Sequence, residues 1–151
     1  MKKNIPLIAS SLLLSSMLWG QGSSQTESRF CEKKLAKVEQ SLVIALRSDD
    51  SPGMQTSAAY VVWRLKKEAP SYGYSRTVVP LMEILNDQNK DCATRIMAAR
   101  ALHELNSSRA DRAILLQARF CEEPKVKHIC SWLVHERSVE AANLAAVRVS
   151  Q

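Results

Sequence analysis

The chain has 151 residues, 21 basic and 15 acidic side chains for a formal charge of +6, 46% hydrophobic and 5% aromatic residues, and only four glycines. That is one domain's worth of chain, and its glycine poverty excludes an all-β sandwich or barrel, which turns about every 8–12 residues, usually on Gly, Asn or Asp. Glycine-rich phosphate loops, dinucleotide fingerprints, nucleophile elbows and metalloprotease helices cannot be written with these letters, so most enzyme classes lose their sequence support.

The first element is an export leader. Lys2 and Lys3 precede an apolar and serine run from Ile5 to Trp19, followed by Gly20-Gln21-Gly22-Ser23-Ser24, the three-part form of a secretory signal peptide. Small residues allow cleavage after Gly22 or Ser24, so residues 1–24 form the leader and about 127 to 129 residues remain. The run contains four serines and falls short of the roughly 20 apolar residues that span a bilayer. Losing Lys2 and Lys3 lowers the formal charge to about +4, and Lys33-Lys34 and Lys66-Lys67 are isolated pairs. No basic cluster is long enough to track a phosphate backbone.

Six helical segments follow, read from apolar residues at helical spacing and from breaks at Pro, Gly or polar clusters. The first, about 29–47, carries Leu35, Val38, Leu42, Ala45 and Leu46 on one face. Ser51-Pro52 reads as an N-cap and first helical residue of the second, which runs to about Lys67 with Ala58, Val61, Val62 and Leu65 inward. The third starts near Thr77, because Pro80 is best tolerated in a first turn. The fourth spans about 91–105 around Ile96, Ala98, Ala99, Ala101, Leu102 and Leu105, and stops at Asn106-Ser107. Ser108 to Asp111 fits a capping box for a fifth helix reaching about Phe120. Beyond Glu122-Glu123-Pro124, a sixth carries Val126, Ile129, Cys130, Leu133 and Val134, and residues 139–151 form a C-terminal tail or a seventh, capping helix.

The segments repeat. Ala58, Ala59, Val61, Val62 and Leu65 fall on Ala98, Ala99, Ala101, Leu102 and Leu105 at an offset of 40, and Leu42, Val43 and Leu46 on Leu81, Met82 and Leu85 at 39. A third hairpin maps at 35 and 31, placing Ala99 and Leu102 on Cys130 and Leu133. Two helices per repeat at such a period indicate an α-solenoid of about three hairpins. The run from Val78-Val79-Pro80-Leu81 to Asp87, followed by Ala93 to Leu102, resembles a HEAT repeat of the short bacterial type also found in phycobilisome-lyase-like proteins. The first hairpin matches without the proline and the third is degenerate. The resemblance implies an all-α, armadillo-type domain over residues 25–138 and no catalytic residues. It favours a non-catalytic protein-interaction module or adaptor, monomeric and without cofactor, while the leader places the expected protein in the periplasm or medium and, with the scattered charge, argues against nucleic acid and an inserted membrane segment. The alternative is an enzyme or enzyme accessory factor related to bilin-lyase-like HEAT proteins.

Four cysteines in an exported chain allow two disulfides in three connectivities. In antiparallel hairpins Cys31 lies about a 20 Å helix length from Cys92, beyond the roughly 7 Å Cα limit of a bridge. Cys121 with Cys130 is the favoured pair; Cys92 with either, and buried reduced thiols, are the alternatives. His128, Cys130 and His135 lack metal-ligand spacing, so no metal site is expected. Repeat alignment places Tyr60 with Arg100 and Ser131, Trp63 with His103 and Val134, and Arg64 with Glu104 and His135. Tyr60, Trp63, Arg64, Arg100, His103 and His135 thus form a candidate interaction face of hot-spot residue types, against the alternative that Tyr60 and Trp63 pack into the core.

Overall fold

The computed structural model describes residues 23–48 and 51–149. Of the expected leader, residues 1–24, Met1 to Gly22 lie outside the described residues, while Ser23 and Ser24 belong to α1. The elements in chain order are α1 (Ser23–Leu46), α2 (Pro52–Glu68), a 3-10 turn (Ser75–Thr77), α3 (Val78–Asn86), α4 (Cys92–Leu105), α5 (Ser108–Phe120) and α6 (Pro124–Val149), with no strand among the described residues. The chain is all-α, as its glycine poverty and helical periodicity indicate.

Helix α1 packs on α2, α3 on α4 and α5 on α6; α2 lies against α4 and α4 against α6, while α1 touches α3 and α3 touches α5. Helix α4 is the hub. Ala98, Ala99, Ala101 and Leu102 are fully buried and point to several sides of it, which is the pattern of a helix enclosed by others. Small side chains let its neighbours approach closely. Leu46, Val62, Leu81, Leu85, Ile114, Val126 and Leu133 close the core around it.

Local chemistry accounts for most boundaries. Pro80 is the third residue of α3 and fully buried, within the first turn where its missing N–H costs nothing. Asp91 caps α4 by accepting from the Thr94 N–H at 3.0 Å, and the Thr94 hydroxyl, which donates to the Asp91 carboxylate, hydrogen-bonds Thr56 Oγ1 of α2 at 2.6 Å. Asn106 ends α4 in the left-handed region at φ 51°, a conformation that asparagine tolerates. Ser107, not Ser108, caps α5 by accepting from the Ala110 N–H at 3.2 Å. With Ala110 at the third helical position the expected capping box does not form, and Asp111 turns instead to Arg137 at 3.6 Å. Ser51 stands at the N-cap of α2 without a side-chain cap bond.

Two boundaries differ from expectation. Helix α1 is already helical at Ser23, six residues before the expected start. Residues 139–149 are not a seventh helix but the uninterrupted continuation of α6, and they are exposed through Arg148. No turn chemistry separates Ser138 from Val139, and alanine-rich sequence sustains a helix without packing.

The connection from α2 to α3 is held by a buried carboxylate. Glu39 of α1, 3% exposed, accepts from the Tyr72 hydroxyl at 2.9 Å and the Arg76 N–H at 2.8 Å. Tyr74 is fully buried at φ 45°, with its ring edge-on to Tyr72 at 4.7 Å. Burial, then the hydrogen bond to Glu39, pushes the Tyr72 hydroxyl up to about 12.

Replacing Asp91 with alanine will lower the unfolding free energy by about 1 kcal/mol, measured by urea denaturation. Hydrogen bonds from Thr94 hold the Asp91 carboxyl below its ordinary value. The cap's charge-linked contribution is therefore complete above the unfolded carboxylate pKa of about 3.9 and is lost as pH falls through the lower folded value. The difference between wild type and variant will narrow on acidification below pH ~4.

Candidate functional site

Helices α2, α4 and α6, side by side, enclose an open groove of about 340 Å³. Trp63 and Lys67 enter from α2, Arg100, His103 and Glu104 from α4, and Trp132, Leu133, Glu136 and Glu140 from α6. Trp63 is half-buried and packs against the core, with the exposed Tyr60 ring 5.6 Å away and tilted. Lys67 Nζ stands 4.4 Å from the Trp63 ring centroid, close enough for a cation–π contact, and 3.8 Å from Glu104. These contacts join α2 to α4.

On the other side, His103 Nε2 lies 3.9 Å from Glu136. The imidazole is nine-tenths buried and this nitrogen has no hydrogen-bond partner among the described residues. Arg137 donates to the His103 backbone carbonyl at the end of α4 and pairs with Glu140 at 3.3 Å. Trp132 is half exposed, the largest apolar side chain presented to solvent in the groove.

Of the six residues singled out from the repeat alignment, Trp63, Arg100 and His103 meet in this groove, and Tyr60 adjoins it through the Trp63 ring. Arg64 and His135 do not line it. Arg64 pairs with Glu68 at 2.8 Å along the exposed surface of α2, and that hydrogen bond raises its guanidinium above the ordinary value. His135 is exposed. In the expected row of Trp63, His103 and Val134, His103 is shared: it lines this groove with Trp63 and also a neighbouring cleft with Val134, Ile114 and Leu115.

Sequence reasoning missed Lys67, Glu136, Glu140 and, above all, Trp132. The cause is geometric. A repeat alignment superposes equivalent flanks of successive helices, whereas a groove between neighbours is bounded by facing, and therefore opposite, flanks. The buried register was correct, since Cys130 and Leu133 are core residues as Ala99 and Leu102 are. The spacing of Trp132, Glu136 and Glu140, four residues apart, was the available signal for the second flank.

Cys92, Cys121 and Cys130 are free thiols, so the expected Cys121–Cys130 bridge is not formed. Cys121 Sγ accepts from Arg95 Nη2 at 3.3 Å instead. Cys130 is fully buried in α6; burial, then the proximity of Cys121, pushes its thiol up to about 12. The Cys31 side chain lies outside the described residues. Among the described residues no cluster of three His, Cys, Asp or Glu could hold a metal ion, and no helix is long and apolar enough to cross a membrane.

No protein-family model, no curated protein and no solved structure matches this chain.

Thermal and urea unfolding of two alanine variants will separate the tryptophans. Trp132→Ala, at a half-exposed position, will change stability by no more than about 0.5 kcal/mol. Trp63→Ala will cost on the order of 1–2 kcal/mol, below the ~3–5 kcal/mol of a fully buried large aromatic.

Proposed function

We propose that this chain is an exported, non-catalytic protein-interaction module, an α-solenoid of three HEAT-like hairpins that receives a segment of a partner protein in the groove across α2, α4 and α6. The groove's composition carries the reading. Trp63, Trp132 and Arg100 are of the residue types that dominate binding hot spots, and they stand together on the outward side of packed helices. Each acid there already faces a base: Glu104 faces Lys67, Glu136 faces His103 and Glu140 faces Arg137. Charge pairs such as Glu104 with Lys67 and Glu140 with Arg137 set register and discriminate between partners.

The repeat reading is supported by the sequence offsets near 40 and by the order in which hairpins and alternate helices pack. Export rests on Lys2, Lys3 and the run from Ile5 to Trp19. Expressed with its leader in a bacterial host, the chain will be recovered from the periplasm starting at Ser23 or Gln25, read by intact mass. Recovery of the full-length chain from the cytoplasm counts against export.

The docking face is tested with a photoreactive residue at position 100, compared with one at the exposed position 109 of α5, in periplasmic extract. The expected result is a defined adduct from position 100 alone, lost in Trp132→Ala with the helical circular-dichroism signal unchanged. Equal adducts from both positions, or an adduct indifferent to Trp132→Ala, rules out the groove.

A further inference from the structure

Helix α5 carries a face that neither the core nor the groove uses. Ala110, Ala113 and Ile114 are its buried residues, whereas Arg109, Arg112, Leu116, Arg119 and Phe120 are all exposed. Steps of three, four and three residues lead from Arg109 through Arg112 and Leu116 to Arg119, with Phe120 beside the last, so the five side chains share one flank of the helix. Phe120 is 73% exposed and Leu116 46%. Single exposed apolar residues are ordinary on a protein surface; these two stand among three guanidinium groups.

No acid neutralises those groups. Among the described residues none of the three arginines enters an ion pair. Asp111 of α5 faces Arg137 instead. Glu122 and Glu123, just past the helix, line a cleft with Lys90 and Arg95, and Glu83 and Asp87 of the neighbouring α3 line another with Arg47 and Lys90. Each of these acids shares its space with a base, while the α5 face keeps three positive charges along about 15 Å of helix.

The face is also a ridge. Arg112 borders the cleft between α5 and α6, but Leu116 and Phe120 line neither that cleft nor the one at the junction of the two helices. A protein partner gains most from anchors enclosed in pockets; projecting apolar side chains suit a surface that yields around them. Arginine grips phosphate with parallel N–H donors, and Phe and Leu close to basic residues are the composition of helices that lie at lipid interfaces.

We propose that α5 rests this chain on an anionic phospholipid surface, with Arg109, Arg112 and Arg119 on lipid phosphates and the Leu116 and Phe120 side chains between the headgroups. The contact is peripheral and needs no membrane-crossing helix, of which there is none among the described residues. It draws on α5 alone, takes no residue from the groove and is independent of the adaptor reading.

Hydroxyl-radical footprinting of the full chain, read by peptide mass mapping, reports on this face directly. Vesicles of phosphatidylcholine with phosphatidylglycerol are expected to protect Leu116 and Phe120 several-fold, while the exposed Ile44 of α1 and Met54 of α2 react as they do without lipid. Vesicles of phosphatidylcholine alone are expected to protect none of the four. Each arginine near an anionic surface raises partitioning about fivefold. The Arg109→Gln, Arg112→Gln, Arg119→Gln triple variant, with its helical circular-dichroism signal unchanged, is therefore expected to need on the order of a hundredfold more lipid for the same protection. The Lys33→Gln, Lys34→Gln, Lys37→Gln variant of α1 loses the same charge and is expected to keep it.

Absence of protection, protection by phosphatidylcholine alone, protection spread equally to Ile44 and Met54, or equal loss in the two triple variants overturns the proposal. So does protection of Phe120 by soluble poly-glutamate or duplex DNA as strong as by vesicles of matched charge, since the face then serves an acidic macromolecule and not a bilayer.

Discussion

Close approach to α4 is the condition on which the remaining packing rests. Ala98, Ala99 and Ala101 offer little more than methyl groups to the neighbouring helices, so α2, α3 and α6 can draw near on different sides. Larger residues at these positions would force neighbours outward, and overpacked cores shift backbone as well as side chains. The groove depends on the same spacing. Lys67 reaches Glu104 and His103 approaches Glu136 only because α2 and α6 flank α4 closely.

The helix ends give glycine poverty a structural meaning. Helices commonly close on a left-handed glycine that turns the chain back over the last carbonyls, yet the described segment has only Gly53 and Gly73, neither in the left-handed region. Side chains from later elements take over that role. Gln55 donates to the Leu46 carbonyl that ends α1, Tyr74 to Leu65 near the end of α2, Arg95 to Leu85 near the end of α3 and Arg137 to His103 near the end of α4. Two of the four are cations, which the negative end of a helix favours.

The helices were legible because their apolar spacing is regular and their stops are chemically marked. Pro80, Asp91 and Asn106 each act locally, and their effects are written beside them in the chain. Glu39 and Arg95 were not legible. Each lies on an otherwise apolar helix face, and its partners are backbone groups or side chains supplied by other elements. The candidate face was half legible for a related reason. Alignment identified Trp63, Arg100 and His103 on equivalent flanks, while Trp132 belongs to the opposite flank of the next helix. The thiols show the same limit from another side: sequence proximity suggested that Cys121 would pair with Cys130, but Arg95, far from both in sequence, holds the first sulfur.

The side-chain ties at the helix ends also impose an order in time. As the chain leaves the ribosome N-terminus first, α1 waits for Gln55, α3 for Arg95, and α4 for Arg137 in the middle of α6. The central helix thus keeps an exposed terminal carbonyl until the first half of α6 has emerged. A nascent fragment ending before residue 137 has its hydrophobic hub but no closure for it. Closure of α4 is therefore deferred until α6 is made, and the middle of α6, around Arg137, serves as its clasp.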